Sequence, residues 1–484
     1  MTTLVATTVS IRDSARPLIV DVDGTLLKTD LLQEAALQFV AAHPARILSL
    51  PQWLAGGKTK LKTRLADSID PGMDTVPLRE EVVALIREAQ THGRPVYLAS
   101  ASDHRYVEKL AQRIGGIEGV FGTEPDSRNL AGAAKADRLV EVFGEGGFDY
   151  IGDNAVDFAV WRKAHQVLCV AHSDGFAASV LKTFPKAHII ARPRPTPRGY
   201  IKALRPHQWA KNALVFLPLV AGHRFDGPTI AATVIGFLCF CFAASSAYIF
   251  NDLLDLPGDR DHPRKSQRPF AAGTVPITHG IVISALLMAA AVGLSLTLPD
   301  RFTLVLLLYV AATLTYSLYL KRKLLIDVVM LGGLYTLRVY GGLAATSSQQ
   351  TQWLLMFSLF FFLSLAIVKR CSELVAKQAA GKTLVMGRGY RIGDLGIMLP
   401  LGAAAGYGAV FVVALYLSSP EVRALYGHPN RLWLMAPFLL YWISRALLMA
   451  SRGDLHDDPV VFALTDRNSW LVALCVAAVI AISV

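Results

Sequence analysis

Two groups of carboxylates in this 484-residue chain have the spacing to do chemistry. The first opens as Asp21-Val-Asp23-Gly24-Thr25, at the end of the apolar run PLIVDV at 17–22. Aspartates at i and i+2 past a strand end can face one cleft, where one attacks phosphorus and the other delivers or removes a proton. Ser100 ends a second apolar run at 95–100, which puts a hydroxyl within reach of a phosphate oxygen; Ser102, in LASASD, is the alternative. Lys135 opens a helical stretch and can neutralise both a phosphate and its attacker. Asp153 and Asp157 follow a third run at 148–152, in Gly152-Asp153-Asn154-Ala155-Val156-Asp157. With Asp21 they form an all-oxygen set suited to Mg²⁺. Taken singly, DxDGT is also an Asx-turn, and Ser100 or Lys135 an ordinary surface residue. Their order and strand-end placement carry the reading.

The second group lies where acids are scarce. Only 14 acidic residues occur after position 200, and four share one window: Asn251-Asp252-x-x-Asp255-x-x-x-Asp259-x-Asp261. Spacings of 3 and 4 predict Asp252, Asp255 and Asp259 along one helix face. Like charges stacked there need a cation, and oxygen ligands favour Mg²⁺ completed by substrate phosphates. The competing reading is a solvated acidic helix end. Arg260, Arg264, Lys265 and Arg268 follow, then Lys321-Arg322-Lys323 and Lys369-Arg370. Each can bind phosphate, and each is also what a positive cytoplasmic face supplies. A later group, Asp454, Asp457, Asp458 and Asp466, reads equally as a solvated loop.

The elements that must hold these residues differ between the two parts of the chain. Short apolar runs alternating with helical stretches at 30–42, 76–91, 104–114 and 133–143 predict an α/β domain over 1–185, with a parallel sheet and its site at the strand C-termini. The stretch at about 30–90 is expected as a small helical cap. Residues 186–200, with three prolines and four basic residues among KAHIIARPRPTPRGY, read as a linker. Residues 1–200 hold 24 basic and 23 acidic residues; the remainder holds 24 and 14, so nearly all of the +11 charge falls on the apolar part. Charged residues make up 18% of the chain and hydrophobic ones 53%, which excludes a disordered or disulfide-stapled protein. The five cysteines show no paired spacing and read as small buried hydrophobes.

From 201 to 484 apolar stretches recur at membrane length, near 208–222, 229–250, 278–298, 302–320, 324–344, 353–369, 396–416, 432–450 and 468–484. Nine helices place 19 Lys/Arg in loops on the side of the N-terminal domain and 4 on the other, with Arg338 inside a span. By the positive-inside rule the N-terminal domain is then cytoplasmic and the C-terminus outside. No basic n-region precedes a long apolar core, so no signal peptide is expected. The basic excess belongs to the membrane face, and no nucleic-acid partner is expected.

The first constellation resembles the haloacid dehalogenase superfamily, in its phosphoserine phosphatase-like branch with a small helical cap, over about 15–185. The resemblance implies Asp21 as nucleophile, Asp23 as general acid/base, and Ser100 and Lys135 as phosphate ligands. It implies Mg²⁺ at the group Asp21, Asp23, Asp153 and Asp157. The second constellation, NDxxDxxxD after the second of nine helices, is similar to the UbiA superfamily of intramembrane prenyltransferases over about 200–484. RPHQWAKN at 205–212, YSLYLKR at 316–322 and DPVVFALTDR at 458–467 add to it. This resemblance implies that Asp252, Asp255 and Asp259 hold Mg²⁺ on a diphosphate, with Asn251 in support.

One departure narrows the branch. Members that prenylate aromatic acids or quinone precursors carry a second Asp-rich motif where this chain reads Lys369-Arg370-Cys371-Ser372-Glu373-Leu374. The combination resembles the decaprenyl-phosphate phosphoribosyltransferase branch, whose members move a phosphoribosyl group from phosphoribosyl diphosphate to a polyprenyl phosphate. An anionic lipid substrate favours basic residues there, and Arg268, Lys321, Lys369 and Arg370 are the phosphate-binding candidates. The expectation is an integral membrane enzyme of the plasma or inner membrane, with the fused phosphatase removing the 5-phosphate of the product. The alternative is transfer of a polyprenyl group from its diphosphate to an aromatic or quinone-precursor acceptor. A transporter or scaffold that uses charged loops for lipids would leave both acid groups unexplained.

Overall fold

The computed structural model describes residues 16–484 apart from 126, 192, 348–351, 380–388, 421, 423–425, 456–458 and 484. Six strands come from the first part of the chain: β1 (Leu18–Asp21), β2 (Val96–Asp103), β3 (Gly119–Thr123), β4 (Asp149–Gly152), β5 (Gln166–Ala171) and β6 (His188–Ala191). They form one parallel sheet in the order β3-β2-β1-β4-β5-β6. β1 is central because its residues are apolar on both faces. Leu18 and Val20 join one core with Leu98, Ile151 and Leu168, while Ile19 joins another with Ala99, Tyr150 and Cys169.

Register brings the chemistry level. Asp21 lies opposite Ala99, and Val20 lies opposite Ile151. The ends of β1, β2 and β4 therefore deliver Asp21, Ser100 and Asp153 to one edge, on either side of the point where the strand order reverses.

The expected linker is redrawn. The helices Leu31–Ala42, Ser49–Ala55 and Lys58–Ser68 follow the β1 turn, and Glu80–Thr91 buries Val82, Ile86 and Ala89 in one core with Leu18 and Val20 and with Leu31, Ala35, Phe39, Leu61 and Leu65 of those helices. Its apolar residues recur at i, i+4 and i+7, which is the stripe of a helix lying on a sheet. Within the predicted linker, 188–191 form the edge strand β6 and 197–200 open the helix Pro197–Leu204. Four of the cysteines are buried and Cys475 is half-buried.

The chain divides into two compact units, Met1–Arg205 with Tyr248–Ser284, and Pro206–Ala247 with Ala285–Val484. The acid segment thus belongs to the unit that holds the sheet. Among the described residues, seven helices have the length and apolarity to cross a membrane: Gly227–Leu254, Ile277–Ser295, Asp300–Leu318, Ile326–Ala345, Gln352–Ala379, Ile392–Leu417 and Pro429–Arg452. The first and ninth predicted spans fall short. Residues Pro206–Phe216 form a 3₁₀ stretch that passes into the five-residue helix Leu217–Ala221, and Arg467–Ala481 has 15 residues.

In the sheet unit Arg94 and Asp149 form a fully buried ion pair, with the His165 ring also on Asp149. Removing one charge of such a pair strands the other. Asp149→Ala is therefore expected to cost about 3–5 kcal/mol, seen as a lower thermal midpoint of the purified full-length protein, whereas Arg138→Ala at the exposed pair with Glu141 leaves it within error.

Candidate functional site

The first carboxylate group closes into a compact cluster. Gly24 adopts φ +75°, and a Cβ there would sit 2.2 Å from Asp153 Oδ2, so only glycine lets the β1 turn meet the β4 end this closely. Asp21, Asp153 and Asp157 each offer a carboxylate oxygen within 4.8 Å of the others. Lys135 Nζ donates to Asp21 Oδ1 at 2.6 Å and to the Tyr150 hydroxyl at 2.9 Å, and lies 3.8 Å from Asp157 Oδ1. Tyr150 donates to Asp157 Oδ1 at 3.0 Å, and the Asp153 and Asn154 N–H groups donate to Asp157 Oδ2. Thr25 Oγ1 donates to Asp21 Oδ2 at 3.3 Å.

One cation among three buried carboxylates leaves an excess of two negative charges. Burial, reinforced by Asp157 and Asp153, pushes the Asp21 carboxyl well above the usual range against the pull of Lys135. Burial opposes the Lys135 ammonium, but Asp21 and Asp157 more than offset this and raise its pKa. The donor set is all oxygen and carries the charge that one divalent cation would neutralise, so these residues fit Mg²⁺.

Asp23, expected among the metal ligands, stands outside this carboxylate trio. Its Oδ1 accepts the N–H of Leu31 at 2.8 Å, and its Oδ2 accepts both Ser100 Oγ at 2.9 Å and Ser102 Oγ at 2.7 Å. The two rival serines thus share one carboxylate. The first cap helix holds Asp23 through its N-terminal N–H, and Asp30 caps the same helix, its carboxyl pushed up to about 6 by burial and by Asp23. Lys62 of the helix Lys58–Ser68 reaches Ala101 O and Asn129 Oδ1, beside a cavity of about 10 Å³ lined by Leu32, Ala35, Leu65, Ser102 and Tyr106. That space holds about one water. Arg79, fully buried, donates to Thr25 O and Gly24 O and ties the return of the cap to the β1 turn. Neither Lys62 nor Arg79 carried a sequence signal.

The acid segment is not one helix face. The helix Gly227–Leu254 stops before Asp255, and Leu256–Arg260 starts anew because Pro257 has no N–H to donate. Among the described residues its carboxylates do not come within 4.8 Å as a trio. Instead Arg268 Nη1 bridges Asp252 Oδ1 at 3.1 Å and Asp259 Oδ2 at 2.6 Å. Arg205 Nη2 contacts both oxygens of Asp252 at 2.6 and 2.7 Å, and Asn251 Nδ2 donates to Asp255 Oδ2 at 3.0 Å. Arg205 sits at φ +53° and stacks over the Tyr248 ring. Arginines stand here where metal was expected.

The same unit holds a buried link that the motifs did not foreshadow. Glu34 of the cap helix Leu31–Ala42, fully buried, accepts Arg260 at 2.6 and 3.2 Å and Thr29 Oγ1 at 2.8 Å. Gln38, one turn on, donates to Leu254 O. A lone acid in the apolar run LLQEAALQF was the available signal.

In the second unit Arg370 is already matched by carboxylates, contrary to its expected role on a lipid phosphate. Nε donates to Asp327 Oδ2 at 2.6 Å, Nη1 to Glu373 Oε2 at 2.7 Å and Nη2 to the Tyr316 hydroxyl at 3.1 Å, while Tyr390 also donates to Asp327. A buried guanidinium takes the carboxylates within reach, and Asp327, an acid inside LLIDVV, was the overlooked partner. Lys369 is half-buried one residue earlier, and Lys321 is half-buried in the 3₁₀ turn Leu320–Arg322. Asp466 caps the helix Arg467–Ala481 and pairs with Arg445, and Asp457 and Asp458 lie outside the described residues.

Comparison with known proteins divides the chain into two consecutive parts. The haloacid dehalogenase-like hydrolase family matches residues 18–162, and the UbiA prenyltransferase family matches 212–482. An uncharacterized protein of Sinorhizobium fredii, y4nM, is 36% identical over 471 residues, 96% of this chain and 90% of its own length. Nodulation protein NoeC of Azorhizobium caulinodans is 33% identical over 57% of this chain and 91% of its own. A decaprenyl-phosphate phosphoribosyltransferase of Mycobacterium tuberculosis is 30% identical over 60% of this chain and 94% of its own.

The charge excess around Lys135 has a direct test. Mg²⁺ at 100 times its dissociation constant should stabilise the protein by about 2.7 kcal/mol over the chelated form, read as a rise in thermal midpoint. Asp153→Asn should remove most of that rise. Equal midpoints with Mg²⁺ and with chelator in the native chain would refute the metal assignment.

Proposed function

The chain belongs to the UbiA prenyltransferase family and carries a haloacid dehalogenase-like hydrolase domain, and from this we propose that it moves a phosphoribosyl group from phosphoribosyl diphosphate to a polyprenyl phosphate and then removes the 5-phosphate. It is an integral membrane transferase with a phosphatase domain. The observation that supports the fuller reading is the presence in one chain of the Asp21–Lys135–Asp157 cluster and of an acid segment dressed with Arg205 and Arg268. A phosphoribosyl transferase yields a phosphomonoester, which is the substrate that the first cluster lacks. The similarity to a relative with that transferase name adds support.

In the phosphatase half Asp21 attacks phosphorus, the bond to the 5-oxygen breaks, and Asp23 gives that oxygen its proton. Water then cleaves the aspartyl phosphate and returns a proton to Asp23. Ser100 and Ser102 aim the Asp23 carboxyl, and Lys135 steadies the charge on Asp21. A bound Mg²⁺ supplies charge neutralisation to the phosphate, through Asp21, Asp153 and Asp157.

In the transferase half a lipid phosphate oxygen attacks the anomeric carbon and diphosphate leaves. Arg205 and Arg268 are the groups that a diphosphate draws away from Asp252 and Asp259, which frees these carboxylates, with Asp255 and Asn251, for a divalent cation. In this reading nine spans place the phosphatase domain in the cytoplasm and the C-terminus outside, across the plasma or inner membrane.

Membranes given labelled phosphoribosyl diphosphate and polyprenyl phosphate should form a labelled lipid. Asp252→Asn or Asp255→Asn should abolish this while the protein stays folded. Transfer of the prenyl group to an aromatic acid, with no labelled lipid, would replace the proposed reaction.

The phosphatase step has its own test. Asp21→Asn should keep transfer and accumulate the phosphorylated lipid, whereas the native chain releases phosphate and yields the ribosyl lipid by mass spectrometry. If both accumulate the same phosphorylated lipid, the phosphatase domain acts on another substrate.

A further inference from the structure

Arg338 lies inside the membrane-length helix Ile326–Ala345 and is 5% exposed. A charged side chain at that depth is costly and ordinarily pairs with an acid. Arg370, on the helix Gln352–Ala379, shows the ordinary solution, with Asp327 and Glu373 on its guanidinium. Arg338 has none. Among the described residues its partners are neutral: Nε donates to Asn212 Oδ1 at 2.7 Å, Nη1 to Leu334 O at 2.7 Å and Nη2 to the Tyr309 hydroxyl at 2.8 Å.

The group is fixed in place as well as uncompensated. The rings of Tyr309 and Tyr335 lie 4.8 and 5.4 Å from its central carbon. Asn212 is held in turn by a contact from Nδ2 to Cys241 Sγ. A Cβ on Gly342 would lie 2.2 Å from Val215 O, so glycine lets the helix approach the 206–216 segment closely enough for Asn212 to reach Arg338. Three of the five guanidinium N–H groups are engaged. Among the described residues one remains on Nη1 and one on Nη2, donors that an anion's oxygens can accept.

We propose that Arg338, caged by Asn212, Tyr309 and Tyr335, is the binding residue for the phosphate of an isoprenoid phosphate, and that this ligand brings the negative charge that the neutral partners of Arg338 do not supply. The surrounding helices are apolar enough to cross a membrane, which suits a phosphate that arrives on a hydrocarbon tail. The assignment rests on the proposed transferase reading and names the residue that meets its lipid substrate, a role for which Arg370 is already neutralised.

The test reads binding without turnover, on the full chain in phosphatidylcholine nanodiscs, with tritiated farnesyl phosphate, farnesol and phosphoribosyl diphosphate as probes. The native chain should prefer farnesyl phosphate to farnesol. Arg338→Gln should weaken farnesyl phosphate binding about 10- to 100-fold, the scale of a lost charge-assisted contact, with farnesol unchanged. If the glutamine variant does not accumulate, Arg338→Lys decides: lysine keeps the charge but cannot serve three neutral acceptors and a phosphate, so affinity should still fall by about 10-fold. Undiminished farnesyl phosphate binding in the variant tested overturns the proposal. So does a loss confined to phosphoribosyl diphosphate, which would make the soluble donor the ligand. A native chain that binds farnesyl phosphate through Arg338 yet transfers no phosphoribosyl group would overturn the proposed reaction and leave this site standing.

Discussion

A carboxylate taken out of water must find a cation, and that constraint arranges both units of this protein. Lys135 answers it for Asp21 and Asp157, Arg94 for Asp149, Arg260 for Glu34, Arg268 for Asp252 and Asp259, and Arg370 for Asp327 and Glu373. The pairs differ in how completely they balance. Arg94 with Asp149 is one to one and structural. Lys135 faces a cluster with more negative charge than it can cancel, which turns packing into a site. Arg338 is the inverse case, a cation with no acid paired to it among the described residues. In the proposed reading each of these two imbalances is a site.

The same logic explains why the acid segment differs from the strand-end cluster. Asp21, Asp153 and Asp157 are fixed by a parallel sheet whose register leaves them nowhere else to point. Asp252, Asp255 and Asp259 sit where Pro257 interrupts a helix: Arg268 bridges Asp252 and Asp259, Arg205 adds to Asp252, and Asn251 holds Asp255. The sheet gathers three carboxylates around one lysine, while the interrupted helix spreads its carboxylates over two arginines and an amide.

The sequence revealed the chemistry of the sheet unit better than its geometry. Asp21, Lys135, Asp153 and Asp157 were legible because each follows a strand or opens a helix. β3, β5 and β6 were not: GVFGT is short and half-buried, and His188–Ala191 hides in a stretch whose prolines dominate its composition. Asp23 was legible as a carboxylate, but not its two serine donors at once. Seven membrane-length helices were readable from hydropathy, whereas the ends at 206–221 and 467–481 were too short or too proline-rich to follow the pattern. Glu34, Asp327 and Arg205 needed long-range partners to acquire meaning, and no local pattern encodes a partner more than 40 residues away.

Glu34 and Arg260 make the joining of these two folds hard to undo. The carboxylate comes from the cap of the phosphatase domain and the guanidinium from the segment that carries Asp252, Asp255 and Asp259, and both are buried. A gene split between them would leave each product with a hidden charge and no counter-ion. Stepwise reversal meets the same obstacle, because losing either residue first strands the other, while losing both together can be nearly neutral. Separating the two segments therefore asks both residues to change at once.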